Sequence, residues 1–280
     1  MRIAIQGEPG SFSHQAALRI AAEVAPSASA EIVPCALSAE TFARLQQGAV
    51  DAVVVPVENA LAGSVVEHYD LLREHDAHIA AETVIRIVHN VIGVPGGSLE
   101  EVERIYSHPV ALAQCRQFFA TRPGIDPVSF YDTAGAVKHA IQTGDRRAAG
   151  IAGLQAAEMY HGDVLAAGVE DDPRNFTRFL LMLPGQARTW PQGRHKLSLC
   201  ILPQHVPGSL AAAMDCVAAE GGNLTMLQSR PLHGSPWHYH FFLDALMPDA
   251  AATDRLLTRL AGLSVVCKVL GRFLPDSDFY

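Results

Sequence analysis

The sequence lacks a surplus of positive charge, which excludes one large class of partner. Lys and Arg together number 21 against 29 Asp and Glu, so the formal net charge at pH 7 is -8. Proteins that bind nucleic acid usually carry a basic face that neutralises phosphates. We therefore expect no nucleic-acid partner.

Long apolar runs are also absent. No stretch approaches the roughly 18 apolar residues of a membrane span. The opening MRIAIQGEPG has neither the basic region nor the apolar segment of a secretory signal. These absences predict a protein without a membrane partner, located in the cytoplasm.

Patterns that form disulfides or metal sites are scarce. The five cysteines are widely spaced and include no C-x-x-C pair, which favours small buried side chains over a disulfide framework or a zinc site. The 13 histidines are scattered and include no H-E-x-x-H motif. GEPGSFS lacks the G-K-S/T ending of a P-loop, and no G-x-S-x-G elbow occurs. We therefore expect no metal, no nucleotide cofactor and no nucleophilic hydrolysis.

What the sequence does contain is an alternation of short apolar runs with Ala-rich helical stretches, in 280 residues of 49% hydrophobic content. This pattern predicts an α/β fold with a largely parallel sheet. A long strand-like stretch, HIAAETVIRIVHNVIGV, separates two groups of βα units, and PVALAQCRQFFA is a predicted helix of the second group. We expect two α/β lobes with a cleft between them.

The composition changes near LPGQARTWPQGRHK, where Pro, Gly and Arg without periodicity are typical of a linker. The following residues predict the βαββαβ order of a ferredoxin-like fold. We therefore predict a first domain over residues 1–184, a linker over 185–195, a second domain over 196–274 and a tail over 275–280.

Three loops of the first domain place a hydroxyl residue, Ser11, Ser107 or Thr133, between a strand and a helix. The unpaired N–H groups of a helix start carry partial positive charge and suit a carboxylate or a phosphate. In open α/β sheets such loops converge at the carboxyl ends of strands. The alternative is that each residue serves only as a helix N-cap.

Five segments resemble, in order and spacing, the motifs of prephenate dehydratases: GEPGSFSHQAA, VPVENALAGSV, YSHPVALAQC, YDTAGAVKHA and NFTRF. The second domain resembles the ACT regulatory domain of that family through PGSLAAAM and GGNLTMLQSRP. The resemblance implies a two-lobed fold like that of type II periplasmic binding proteins, with the active site between the lobes. It also implies conversion of prephenate to phenylpyruvate in L-phenylalanine biosynthesis, with loss of carbon dioxide and water and without a cofactor or metal.

The same resemblance implies roles for individual residues. Thr177 matches the family's catalytic threonine, whose hydroxyl donates or relays a proton to the departing hydroxide; without the resemblance it would be an ordinary strand residue. Substrate-binding roles fall on Ser11, Asn59, Ser107, Gln114, Thr133, Arg178 and Phe179. An ion pair with the acids at 170–172 is the alternative for Arg178, and a place in the core is the alternative for Phe179.

For the second domain, the resemblance implies feedback inhibition by L-phenylalanine in a homodimer or homotetramer. The effector-binding residues would be Gly208, Ser209, Leu210, Asn223, Leu224, Gln228 and Ser229. Ser209 and Gln228 stand where the family usually has alanine and glutamate. Because the first predicted strand begins at Arg2, we expect no fused chorismate mutase domain.

Two other functions fit the same residues. An arogenate dehydratase would carry out the same elimination on the transaminated substrate, and the pocket residues alone do not separate the two. A non-catalytic module that binds a small acid and senses an amino acid is the other alternative. The retained hydroxyl of Thr177 argues against such a module.

Overall fold

The structure, a computed structural model, describes residues 1–187, 189–232, 234–263, 265–277 and 279. The residues outside these ranges are Arg188 of the predicted linker, His233 and Ser264 of the predicted second domain, and Asp278 and Tyr280 of the predicted tail. The chain forms two compact units. Unit 1 comprises residues 1–65 and 84–179, and unit 2 comprises residues 66–83 and 180–280.

The strands and helices follow one another closely along the chain. The elements up to residue 113 are β1 (Arg2–Gln6), α1 (Phe12–Val24), β2 (Glu31–Cys35), α2 (Ser38–Gln46), β3 (Ala52–Asn59), β4 (Gly63–Ser64), α3 (Val66–Glu74), β5 (Ala77–Arg86), β6 (Asn90–Gly93), a 3-10 helix (Leu99–Glu101), β7 (Arg104–Ser107) and α4 (Pro109–Ala113). The elements after it are α5 (Arg116–Ala120), β8 (Asp126–Ser129), α6 (Thr133–Thr143), β9 (Ala148–Ala152), α7 (Leu154–Tyr160), β10 (Asp163–Ala166), β11 (Phe176–Pro184), β12 (His195–Leu202), α8 (Ser209–Ala219), β13 (Asn223–Pro231), β14 (Tyr239–Met247), α9 (Ala250–Gly262) and β15 (Val266–Phe273).

The first sheet of unit 1 is built around β1, whose central residues Ile3, Ala4 and Ile5 are fully buried. Strand β1 pairs in parallel with β2 and with β3, and β3 lies beside β11. A parallel strand covered on both faces needs apolar residues in succession, which is why AVVV of β3 is a continuous apolar run. The carboxyl end of β3 therefore lies beside the start of β11, where the Ala60 N–H donates to the Phe176 carbonyl.

The second sheet of unit 1 has the strand order β10-β6-β9-β7-β8. Strand β7 is parallel to β8 and β9, whereas β6 is antiparallel to β9 and β10. Its core includes Val91, Ile105, Phe118 and Ile151. Two sheets with their own helices confirm the predicted α/β fold with two lobes, although this sheet is mixed rather than largely parallel.

Two predicted elements are each divided in the structure, so their continuity was wrongly predicted. The long strand is split into β5 and β6, because the Ile87 N–H donates to the Asn175 carbonyl and the His89 N–H donates to the Glu170 carboxylate. The helix predicted over 109–120 is split into α4 and α5. The Asp171 carboxylate accepts hydrogen bonds from the first N–H groups of α5, so α5 begins separately.

Unit 2 contains the predicted βαββαβ order from β12 to β15. The strand order β13-β14-β12-β15 is antiparallel throughout, and helices α8 and α9 contribute Val217, Leu256 and Leu260 to its core. This confirms the predicted ferredoxin-like order. The same compact unit includes α3 and the first part of β5, and Ile79 of β5 pairs with Gly271 of β15.

Within the described residues, none of the helices is both long and apolar enough to cross a membrane. Over the same ranges, no group of three or more His, Cys, Asp and Glu side chains is arranged to hold a metal ion. Cys35, Cys115 and Cys200 are buried thiols, as the sequence predicts, whereas Cys216 and Cys267 are only half-buried.

Candidate active site

The three hydroxyl-bearing loops of unit 1 converge on one cavity of 520 Å³. The first loop and α1 contribute Gly7, Glu8 and Ser13, the loop after β7 contributes His108, and the loop after β8 contributes Tyr131 and Asp132. Convergence was predicted from the sequence. The loops come from both sheets of unit 1, however, and not from neighbouring strands of a single sheet.

The helix caps are only partly those predicted. Ser11 is the N-cap of α1, and its Oγ accepts from the His14 N–H at 3.3 Å. Ser107 and Thr133 are not N-caps: His108 caps α4, and the Asp132 carboxylate caps α6. The Ser107 hydroxyl instead donates to the Ile151 carbonyl at 2.6 Å, because Ser107 is the fully buried last residue of β7.

A polar network of unit 1, whose residues are not those that line this cavity, centres on the pair Asn59 and Thr177. Asn59 ends β3 and Thr177 is the second residue of β11, so neighbouring strands bring the two side chains together. The Asn59 amide nitrogen Nδ2 lies 2.8 Å from Thr177 Oγ1, 2.8 Å from Asn175 Oδ1 and 3.2 Å from the Phe176 carbonyl oxygen. Thr177 is only 8% exposed.

The orientation of the Asn59 amide is determined at both ends. Its Oδ1 accepts from the backbone N–H groups of Leu61 and Ala62 at 3.0 and 2.8 Å, and a backbone N–H can only donate. Its Nδ2 faces the Phe176 carbonyl, which can only accept. The Asn59 side chain therefore donates to Thr177 Oγ1, and the Thr177 hydroxyl hydrogen is available for another acceptor.

Asn175 and Gln114 extend this network. Asn175 is fully buried, and because its Oδ1 accepts from Asn59, its Nδ2 donates to Gln114 Oε1 at 2.9 Å. Gln114 caps the end of α4, where its backbone carbonyl accepts from the Asp171 N–H. Its Nε2 lies a long 3.4 Å from Asn59 Oδ1, so the Gln114 N–H groups are weakly engaged among the described residues.

His89 closes the network at the break between β5 and β6. Its Nε2 lies 2.9 Å from Gln114 Oε1, and its ring meets the edge of Phe12 at a centroid distance of 6.0 Å. The side chain is buried, and the residues that the structure describes provide no hydrogen-bond partner for its Nδ1. Burial lowers the pKa of His89, although the contact with Gln114 and the charge of Glu170 partly oppose that shift.

Arg178 and Phe179 follow Thr177 on β11 and are both buried. Successive residues of a strand point to opposite faces of the sheet, so Arg178 lies on the face opposite Thr177, and Phe179 lies on the same face as Thr177. Thr133 begins α6 and is half-buried. Of the predicted substrate-binding residues, the hydrogen-bond network thus joins Asn59 and Gln114 to Thr177.

Glu8, a charged residue that lines the cavity, is already paired. Lys138 and Tyr131 donate to the two carboxylate oxygens of Glu8 at 2.9 and 2.8 Å. Burial alone would raise the pKa of Glu8, but these hydrogen bonds lower it below its ordinary value. Burial raises the pKa of Asp132, and the nearby negative charge of Glu8 adds to that shift.

Residues 3–186 match the family model described as prephenate dehydratase. The chain belongs to the prephenate dehydratase family. A bifunctional chorismate mutase/prephenate dehydratase from Aquifex aeolicus is 34% identical over 275 residues, which cover 98% of this chain and 73% of the relative. A chloroplastic arogenate dehydratase/prephenate dehydratase from Arabidopsis thaliana is 32% identical over 293 residues, covering 99% of this chain and 74% of the relative.

A solved structure is also similar over almost the whole chain. It is the crystal structure of a prephenate dehydratase from Arthrobacter aurescens in complex with L-Phe. It has a TM-score of 0.86 and 28% identity, and the match covers 98% of this chain and 90% of that chain. Membership of the prephenate dehydratase family makes the protein an enzyme, a carbon–oxygen lyase of the hydro-lyase type.

The family motifs pointed to Thr177, Asn59 and Gln114, but they did not lead us to Asn175 or His89. Asn175 lies within NFTRF, and an amide two residues before the threonine is the signal that could have identified it. His89 has a weaker signal, a polar residue that interrupts an otherwise apolar stretch. Its partner Gln114 is 25 residues away in sequence, so no local pattern connects them.

The predicted effector residues lie in two places in unit 2. Gly208 is the N-cap of α8 with φ at 82°, and Ser209 and Leu210 line a cavity of 380 Å³ with Gln204, Tyr239 and Phe241 among its other residues. The Ser209 hydroxyl donates to the Gln204 carbonyl at 2.5 Å. The remaining four predicted effector residues are all in β13: Asn223, Leu224, Gln228 and Ser229.

Proposed function

We propose that this enzyme converts prephenate to phenylpyruvate and that L-phenylalanine inhibits it. In the reaction, the bond between the ring and the carboxylate breaks, and its electron pair enters the ring. The carbon–oxygen bond to the ring hydroxyl breaks at the other end, and the hydroxide leaves with a proton as water. Carbon dioxide is released, and one proton is consumed overall.

The observation that carries this proposal is the direction of the hydrogen bond between Asn59 and Thr177. Because Asn59 donates to Thr177 Oγ1, the hydroxyl hydrogen of Thr177 is available to the departing hydroxide. A donor placed on Oγ1 also stabilises negative charge that develops there when the proton moves. General acid catalysis of this kind contributes about 10²- to 10⁴-fold to the rate.

The substrate's carboxylates need hydrogen-bond donors, and unit 1 offers several. The weakly engaged N–H groups of Gln114 are suited to an oxygen of the substrate. Thr133 and the N-terminal N–H groups of α1 and α6 add donors around the same loops. Arg178 is the charged candidate, and its place on the opposite face of β11 makes it the least supported of these residues.

The proposed inhibition rests on the second domain acting as an ACT-type regulatory domain in a dimer or tetramer. The solved relative is a prephenate dehydratase in complex with L-Phe, and this chain covers 90% of it. The cavity beside Ser209 and Leu210 is lined by the aromatic rings of Tyr239 and Phe241, which suit an apolar side chain. An effector of this kind typically changes the affinity for substrate by about 5- to 150-fold.

Purified protein, prephenate and arogenate test the proposal. We expect phenylpyruvate from prephenate, detected by its absorbance in alkali, and slower turnover when L-phenylalanine is added. Phenylalanine formed from arogenate at a higher kcat/KM would assign the enzyme to the arogenate branch, which the Arabidopsis relative makes a specific alternative. Turnover of neither substrate would contradict the proposed function.

Thr177 itself is tested by two substitutions. Thr177→Val preserves the branched shape but removes the hydroxyl, so we expect kcat to fall by about 10²- to 10⁴-fold. Thr177→Ser keeps the hydroxyl and should retain most of the activity. A Thr177→Val variant with the kcat of the unmodified protein would show that this hydroxyl does not protonate the leaving group.

A further inference from the structure

His89 lies in a polar environment that the proposed reaction does not explain. Its ring is 2% exposed, its Nε2 is 2.9 Å from Gln114 Oε1, and its Nδ1 has no hydrogen-bond partner among the residues that the structure describes. A buried polar atom without a partner is costly, and such atoms are few in native proteins. A phenyl ring would fill the same space without that cost, so packing alone does not account for a histidine here.

The network determines which ring nitrogen carries the proton. The Asn59 amide is oriented by backbone groups at both ends, so Asn59 donates to Asn175 Oδ1. The amide of Asn175 must then present its Nδ2 to Gln114 Oε1. An oxygen that accepts from Asn175 can only accept from His89 as well. The ring nitrogen next to it, Nε2, therefore carries a hydrogen.

We infer that His89, as the neutral tautomer protonated on Nε2, is a positioning residue that holds the Gln114 amide with its N–H groups toward the substrate. Two donors, Asn175 Nδ2 and His89 Nε2, bind Gln114 Oε1. Because Oε1 faces these two donors, the N–H groups at the other end of the Gln114 amide point away from them. Without His89, Gln114 Oε1 keeps one donor, Asn175, and only the long 3.4 Å contact of Nε2 with Asn59 Oδ1 remains beside it, so the amide is held less firmly. The inference rests on the proposed function, because it assigns Gln114 a contact with the substrate.

The surroundings of the ring are consistent with a neutral imidazole. The ring contacts the ring of Phe12 and the amide of Gln114, which are both uncharged. A charged group lies nearby at Glu170, whose carboxylate accepts from the His89 backbone N–H. Glu170 also lies 3.9 Å from Arg86, which offsets its charge. Burial lowers the pKa of His89, so the ring is neutral near pH 7.

Three variants separate positioning from packing. His89→Phe keeps a ring of similar size but removes the donor, and we expect kcat/KM to fall about tenfold to a hundredfold, the loss expected when a binding group is misplaced. Its thermal stability should be unchanged or higher, because the substitution removes Nδ1, which has no partner among the described residues. His89→Gln can place an N–H near the position of Nε2 and should restore most of the lost activity. His139→Phe, at a half-buried histidine that stacks on Phe130, is the matched control and should have unchanged kcat/KM.

A double-mutant cycle tests whether His89 acts through Gln114. In a Gln114→Ala background, His89→Phe should cause less than a twofold further loss, because the side chain it positions is absent. An equal loss in both backgrounds would overturn the inference. So would a His89→Phe variant with full activity, or a His89→Gln variant no better than His89→Phe.

The tautomer can be measured without turnover. Nitrogen NMR of the full chain with ¹⁵N-labelled histidine distinguishes a protonated from a bare ring nitrogen, and the His89 signals are those missing from the His89→Gln spectrum. We expect a neutral ring with Nε2 protonated and Nδ1 bare at pH 7. A ring protonated on Nδ1, or a charged ring, would overturn the inference. If the unmodified enzyme turned over neither prephenate nor arogenate, the proposed function would fail and this measurement would still decide the tautomer.

Discussion

Asn59 shows how a single side chain can set the chemistry of its neighbour. Its oxygen closes a turn at the end of β3 through the N–H groups of Leu61 and Ala62, as asparagine does in many turns. The same turn aims its nitrogen at Thr177 and Asn175. One residue thus closes the turn and donates to Thr177 Oγ1, which leaves the Thr177 hydroxyl hydrogen for another acceptor. A carboxylate at this position could still close the turn, but it could not donate a hydrogen bond to Thr177.

Asn59→Asp tests that division of roles. The new oxygen would face two groups that only accept, Asn175 Oδ1 and the Phe176 carbonyl, so we expect the free energy of unfolding to fall by about 1–3 kcal/mol, the cost of leaving buried acceptors unpaired. We also expect kcat to fall at least tenfold, because Thr177 loses its donor. Urea unfolding and steady-state kinetics measure the two effects. Asn223→Asp, at an exposed asparagine of β13, is the matched control for stability. Unchanged kcat in Asn59→Asp would contradict the assigned orientation.

His89 also predicts how stability depends on pH. Burial lowers the pKa of its ring in the folded state, whereas a histidine in an unfolded chain has a pKa of about 6.5. As the pH falls below that value, His89 takes up a proton in the unfolded chain before it does so in the folded chain. The free energy of unfolding therefore decreases with falling pH. Unfolding at pH 7.5 and at pH 5.5 should therefore show a larger loss for the unmodified protein than for His89→Gln. Equal losses would contradict a lowered pKa at His89.

Most strands and helices were predictable because their signals are local. The apolar run of β3 and the amphipathic helix α9 are each encoded within about ten adjacent residues. The two breaks were not, since their causes are distant in sequence: Glu170 binds the backbone of His89 and Asp171 binds the start of α5. In the candidate active site, too, local signals were predictable and contacts between distant residues were not. Thr177 lies in a recognisable motif, whereas the contact of His89 with Gln114 exists only after the chain has folded.

Close packing of α6 on β9 depends on a glycine. A Cβ on Gly150 would lie 2.7 Å from the backbone nitrogen of Val137 in α6, and backbone atoms cannot move aside as a flexible side chain can. We expect Gly150→Ala to lower the free energy of unfolding by about 1–3 kcal/mol through overpacking, measured by urea denaturation. Gly124→Ala is the matched control, because nothing lies within 4 Å of the added carbon. Equal stability of the two variants would contradict the close contact.

The chain assembles unit 2 from segments that are far apart in sequence. The segment 66–83 belongs to the same compact unit as residues 180–280. Lys268 of β15 donates to the Arg73 carbonyl at the end of α3, and Arg230 of β13 pairs with Asp70 of the same helix. A fully buried ion pair joins Lys196 of β12 to Glu82 of β5 at 2.7 Å. These polar contacts specify where the segment 66–83 lies on the βαββαβ fold.

The Lys196–Glu82 pair allows the last prediction. Lys196→Met removes the ammonium group that pairs with the buried Glu82 carboxylate, so it should lower the free energy of unfolding by about 3–5 kcal/mol. Adding Glu82→Gln removes that charge and keeps an oxygen for the Asp276 N–H, so the double variant should recover more than half of the loss. Glu23→Gln, which breaks an exposed pair with Arg19 in α1, should change stability by less than about 1 kcal/mol. Urea unfolding of the four proteins measures these differences. A double variant no more stable than Lys196→Met would show that the loss comes from packing around the lysine and not from the carboxylate that has lost its lysine.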